Sequence, residues 1–162
     1  MLGAPIGSAM AALIRFLASG GYIGYIPVAS GTFGSLEGLL LGWVLSALIA
    51  QRSAFAAIIL FALLFAASCW IADRAEQAFA EHDSSRIVID EILGMAAAMF
   101  LIPMRWPWVA AAFGLFRFFD IVKPWPAGLI DRRIRGGKGV MLDDLAAGIY
   151  ANLTLQAVLR LL

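Results

Sequence analysis

One cysteine and one histidine are all that the 162 residues supply of the side chains best suited to soft-metal ligation and to nucleophilic attack at phosphorus. Cys69 lies inside an apolar run, which excludes an internal disulfide and a cysteine-built metal centre and argues against a thiol phosphatase. His82 stands beside Asp83 in a polar stretch. With no second histidine, a phosphohistidine route is disfavoured, and His82 reads as a surface residue. Charge is also scarce, at 14% of residues with a net of +1, so overall charge points to no partner and nothing suggests nucleic acid. The first residues, MLGAPIGSAMAALIRF, lack a basic start followed by a long apolar core and a small-residue cleavage site, so no cleaved signal peptide is expected. There is no internal repeat, low-complexity tract or composition shift, and residues 1–162 read as a single domain.

Apolar residues are what the chain has in excess. They make up 62% of it, with a mean hydropathy of +0.89, a composition that describes an integral membrane protein. The fold class expected is all-α: a helical membrane bundle of about five spans with short surface helices. Met10 to Ala18 has helical spacing but is too short to span and contains Arg15. A glycine-rich loop follows, feeding a helix expected to begin near Ser35. Spans are expected at about Leu36–Ala50, Ser53–Ala72, Ile87–Met104, Trp106–Val122 and Leu145–Leu162. The segment from Asp73 to Arg86 is the most polar and reads as a short helix leaving the membrane, then a loop. In an antiparallel arrangement Arg52, Arg105 and Arg160 fall at one face. Arg15, Arg74, Arg86, Lys123, Arg132, Arg133, Arg135 and Lys138 fall at the other, which the positive-inside rule makes cytoplasmic.

That same face receives the acids. Arg117 to Gly148 holds four of the chain's eleven, Asp120, Asp131, Asp143 and Asp144, together with Lys123, Arg132, Arg133, Arg135, Lys138 and a rigid Pro-Trp-Pro turn at 124–126. Carboxylates at the ends of apolar helices cost several kcal/mol unless compensated and are functional candidates by default. Asp120 has Arg117 and Lys123 three residues away on either side, so a helical ion pair accounts for it as well as a catalytic role does. Asp90-Glu91 and Asp143-Asp144 have only Arg86 at such spacing, and two acid pairs so poorly partnered call for a divalent cation. Oxygen ligands favour Mg²⁺ or Mn²⁺ over zinc. Each pair precedes a glycine by one helical turn, Asp90 to Gly94 and Asp144 to Gly148, which would let two helices approach and bring the pairs together. A metal so held is completed by phosphate, with Lys123, Lys138 and the Ser30-Gly31-Thr32 loop holding its oxygens. Trp125 is placed to seat the headgroup end of a lipid.

Four blocks, GYIPVASGTFGSL, IVIDEILGM, FRFFDIVKPWPAGLID and GGKGVMLDDLAAG, resemble in order and spacing those of the phosphatidylglycerophosphatase A family, over roughly Gly21 to Gly148. The resemblance implies an all-helical, Mg²⁺-dependent phosphatase of the bacterial cytoplasmic (inner) membrane, multi-pass, whose lipid substrate is phosphatidylglycerophosphate. It gives functional weight to Asp90, Glu91, Arg117, Asp120, Lys123, Asp131, Asp143, Asp144 and the Ser-Gly-Thr loop. The combined assignment makes Asp90, Glu91, Asp143 and Asp144 metal ligands, Ser30, Gly31, Thr32, Arg117 and Lys138 phosphate-binding, and Asp120, Asp144 and Lys123 catalytic. Glu37 falls outside the pattern. An ion-coupled transporter or channel subunit is the alternative, since intramembrane acids also mark ion pathways. Acids gathered at one face and the lack of an inverted repeat weigh against it. A metal-dependent headgroup transferase would further need a nucleotide-diphosphate pocket, for which no motif is present.

Overall fold

The computed structural model describes residues 7–81, 84–125, 127–134 and 136–161, with no account of the side chains of 130–132. His82 and the Asp131 side chain, both singled out above, therefore lie outside the described residues, as do Pro126, Arg135 and the side chain of Arg132. Every regular element described is helical: α1 (Ser8–Ala18), a 3₁₀ turn (Ile23–Tyr25), α2 (Ser30–Gln51), α3 (Ala54–Phe79), α4 (Ile89–Ala98), α5 (Trp106–Val122), α6 (Ala127–Arg133) and α7 (Gly137–Leu161).

Short α4 is the axis of the bundle, with α2 on one side and α7 on the other. Its neighbours approach through glycine. On α2, Gly34, Gly38 and Gly42 recur every four residues and face α4. A Cβ at Gly38 would stand 2.6 Å from the carbonyl oxygen of Ile92, and one at Gly42 2.8 Å from the Cβ of Met99. On the other side, a Cβ at Gly94 would lie 2.8 Å from the carbonyl oxygen of Asp144, and one at Gly148 would strike the Gly94 carbonyl. Backbones this close gain dispersion contact where lipid offers no hydrophobic driving force between helices. The Phe116 ring of α5, fully buried, closes over Gly94. Asn152 of α7 donates from its amide to the carbonyls of Ala98 and Phe100, at 3.1 and 2.6 Å, satisfying groups that the end of α4 leaves open.

α2 and α3 are each long and apolar enough to cross a membrane. Only 28% and 11% of their most apolar windows are buried inside the fold, so their hydrophobic side chains, among them Leu40, Trp43, Phe55 and Leu63, point outward. A soluble core helix would do the reverse. Of the other expected spans, Trp106–Val122 has the bounds of α5, while the third and fifth differ from the reading. α4 has ten residues, about 15 Å at 1.5 Å per residue, half the hydrocarbon thickness of a bilayer. Its run is broken at Leu101, which takes φ 58°, just ahead of Pro103. α5 has 17 residues, and the first third of α7 holds Lys138, Asp143 and Asp144. The polar segment after residue 72 continues α3 unbroken to Phe79.

Candidate active site

The helices deliver their polar ends to one end of the bundle. Asp90 and Glu91 occupy the first turn of α4, where the helix dipole favours negative charge. Asp143 and Asp144 lie two turns into α7, and the α4–α7 glycine contact sets them opposite. One ligand oxygen each from Asp90, Glu91 and Asp144 falls within 4.8 Å of the others. Asp90 Oδ1, Glu91 Oε2 and Asp144 Oδ2 are buried without a hydrogen-bond partner among the described residues. Two carboxylate charges at that separation repel by about 3.5 kcal/mol at an effective dielectric of 20, and no hydrogen bond among the described residues reaches these three oxygens. Three orphaned hard oxygens converging on one point are what a divalent cation requires, and the residues present fit one.

Asp143 is placed differently from its neighbour. Its carboxylate pairs with the Lys123 ammonium and also accepts from the Asp144 amide at 3.1 Å. Lys123 ends α5 in the left-handed region, φ 45°. This conformation costs a non-glycine residue roughly 1–2 kcal/mol and turns the chain at Pro124 and Trp125. Asp120 pairs with Arg117 at 2.7 Å, the i,i+3 ion pair open from the sequence, and Arg117 also donates to Ser35 Oγ at 3.4 Å. A cavity of about 220 Å³ joins these groups, lined by Asp90, Glu91, Asp120, Lys123, Asp143 and Asp144, with Ser30, Ser84 and Ser85 at its rim.

Ser30, Gly31 and Thr32, expected in a loop, form the first turn of α2, which starts five residues before Ser35. Ala29 at φ 55° precedes them, and Ser30 Oγ donates to the Ser85 carbonyl at 2.9 Å. Gly31 is where Glu91 reaches α2, since a Cβ there would meet the Glu91 carboxylate. Thr32 and Lys138 line neither this cavity nor the polar one next to it. Lys138 is exposed where the start of α7 packs on Ala72 and Asp73 of α3. Trp125 is 80% exposed, its carbonyl held by the Tyr150 hydroxyl at 2.8 Å. Glu37 has an orphaned Oε2 as well, but against Gly20 and outside the acid cavity.

In the sequence, Arg86 counts among the cations of the acid-bearing face and as the one cation spaced to pair with Asp90. Its guanidinium instead lies 5.7 Å from the ring centres of both Tyr25 and Phe79. No local spacing signals that placement.

A family profile described as Phosphatidylglycerophosphatase A matches residues 16–159. A phosphatidylglycerophosphatase A of Haemophilus influenzae is 39% identical over 146 residues, 90% of this chain and 88% of the relative. One of Escherichia coli K12 is 33% identical over 138 residues, 85% and 78% of the two chains. A Bacteroides thetaiotaomicron protein named putative phosphatidylinositol-3-phosphatase is 38% identical over 136 residues, 79% and 82%. No solved structure matches the chain. The profile spans nearly all of the helices that build the acid cavity, and the chain belongs to the phosphatidylglycerophosphatase A family, a family of phosphatases.

Proposed function

We propose that this chain is a membrane-embedded, Mg²⁺-dependent phosphomonoesterase that removes the terminal phosphate of phosphatidylglycerophosphate to leave phosphatidylglycerol, acting at the cytoplasmic face of a bacterial inner membrane. The observation that carries the reading is the set of three buried, orphaned carboxylate oxygens on Asp90, Glu91 and Asp144 in a cavity shared with Lys123. Family membership and the apolar outward faces of α2 and α3 support a lipid substrate. They give the transporter reading no support.

Asp90, Glu91 and Asp144 would hold the cation, which when bound neutralises phosphoryl charge and polarises oxygen for attack. The rest of the cavity positions the phosphate and moves protons. Lys123, steered by Asp143, offers N–H donors to a phosphoryl oxygen where negative charge builds. Ser30, at the start of α2, lines the same space, and a helix N-terminus favours an anion. Asp120 lines the cavity outside the orphaned set and is held by Arg117. That makes it the carboxylate we assign to the proton: it accepts one from the attacking water as the new P–O bond forms. It returns one to the glycerol oxygen as the old P–O bond breaks.

The test is phosphate release from phosphatidylglycerophosphate by detergent-purified protein, with Mg²⁺, with a chelator, and with Asp144→Asn. Release that needs both the metal and Asp144 is expected. Release that survives chelation or Asp144→Asn would remove the metal site, and no release from folded protein would remove the activity.

A further inference from the structure

A second polar cavity, of about 350 Å³, adjoins the acid cavity. The two share Ser30, Ser85 and Glu91 as a common wall. Beyond that wall their chemistry diverges. The first holds the carboxylate cluster and Lys123. The second is lined by Gly24 to Pro27, by Ala29 to Gly31 and by two arginines, Arg86 and Arg117. Arg117 is committed to Asp120. Arg86 has no carboxylate partner among the described residues. Exposed at the surface, it sits over the Tyr25 and Phe79 rings, which pack against each other at 6.2 Å, and cation–π contact orients a guanidinium without neutralising it. The amides of Ser30 and Gly31, the first two of α2, find no backbone acceptor among the described residues and border the same cavity. Two arginines and a helix N-terminus lining one chamber, with no carboxylate on Arg86 among the described residues, suit an anion. Tyr25, which lines it, is 46% exposed, and its sequence neighbours Val28 and Tyr22 are 72% and 54% exposed, residues of the kind that sit at a membrane surface.

Resting on the phosphatase reading, we infer that this second chamber binds the phosphodiester of the substrate lipid, with Arg86 as the specificity-determining residue. The substrate carries two phosphates separated by one glycerol, a monoester to be removed and a diester tied to the acylated glycerol. Two chambers with a shared wall offer adjacent places for the two phosphates. The diester lies nearer the exposed Tyr25–Val28 rim, where the acyl chains depart, and the monoester passes over Ser30 and Glu91 to the acids. Arg86 thereby selects lipids that present a diester beside the scissile monoester over lipids that present a monoester alone.

The experiment compares wild type, Arg86→Gln and Arg86→Lys in one mixed-micelle system with Mg²⁺. It measures KM and kcat for phosphatidylglycerophosphate. It also measures the inhibition constants of phosphatidylglycerol, which keeps only the diester, and of phosphatidic acid, which has only the monoester. A charge-assisted bond to a phosphate oxygen implies that Arg86→Gln raises the KM and the phosphatidylglycerol constant by about tenfold or more. The phosphatidic acid constant should move at least about fivefold less, kcat should change little, and Arg86→Lys should recover part of the loss. If all three constants move together, Arg86 has a merely structural role and the inference fails; if none moves, the chamber does not bind the diester. Wild-type protein that releases no phosphate would instead overturn the phosphatase reading itself.

Discussion

Replacing Gly148 by alanine tests whether the α4–α7 contact sets the geometry of the acids. A methyl group there would strike the carbonyl oxygen of Gly94 and lie 3.1 Å from its carbon and 3.2 Å from Ala97 Cβ. The neighbours on two sides are backbone or the Cβ of a helical alanine, none of which can swing aside. The reciprocal contact sets a scale. A Cβ at Gly94 reaches 2.8 Å from the Asp144 carbonyl, where ordinary contact begins at 3.4 Å, a shortfall of about 0.6 Å, and the clash at Gly148 is tighter. α7 must therefore shift or turn by more than half an ångström against α4, carrying Asp144 away from Asp90 and Glu91. Metal–ligand distances tolerate about 0.2 Å, and a 1 Å misplacement can cost on the order of 100-fold in rate. The overpacking itself should cost about 1–3 kcal/mol, which leaves room for a folded protein. The assay is phosphate release across a Mg²⁺ titration, with thermal unfolding measured in the same detergent. Gly148→Ala should raise the Mg²⁺ concentration for half activity and lower kcat by about 100-fold. Gly114→Ala is the control, because a Cβ there meets nothing within 4 Å, and it should keep activity and gain up to about 1 kcal/mol in stability. A Gly148→Ala protein with wild-type kcat and metal dependence would refute the reasoning.

Asp143→Asn should lower kcat by about tenfold or more while leaving the Mg²⁺ half-activity point in place, because Asp143 serves Lys123 and not the orphaned set. Asp90→Asn and Glu91→Gln should move that point instead, and identical titration behaviour of all three variants would return Asp143 to the metal ligands. Ala80→Gly should raise the melting temperature by a few degrees, a gain of about 0.5–1 kcal/mol. Ala80 closes α3 at φ 53°, so scanning calorimetry showing a loss would mean that residue is not strained. Arg105→Gln, at the end of the bundle away from the acids, should leave turnover within about twofold. A large loss there would undo the arrangement of helix ends.

Much of this was written in local pattern. Asp90 to Gly94 and Asp144 to Gly148 announced a close helix pair with acids at one end, and the apolar runs marked α2 and α3. What local pattern hid was the work done by tertiary contact. Gly31 and Gly34 read as a loop because glycine is a weak helix former, yet they lie in α2, where the approach of α4 outweighs propensity. The charged residues from Asp73 to Gln77 suggested an end to the second span, but charge does not stop a helix that leaves the apolar layer, and α3 continues to Phe79. Asp143-Asp144 were expected just ahead of a span and stand well inside α7. Arg86 was unreadable for another reason: Tyr25 lies 61 positions earlier, and no spacing rule connects them.

Gathering the candidate acids and Lys123 at one end of the bundle has a consequence for the proposed activity in a closed vesicle. Protein inserted in a single orientation would meet only the lipid of the leaflet that its acid cavity faces. Hydrolysis should then stop near half of the substrate, and resume when a scramblase or a detergent pulse equalises the two leaflets.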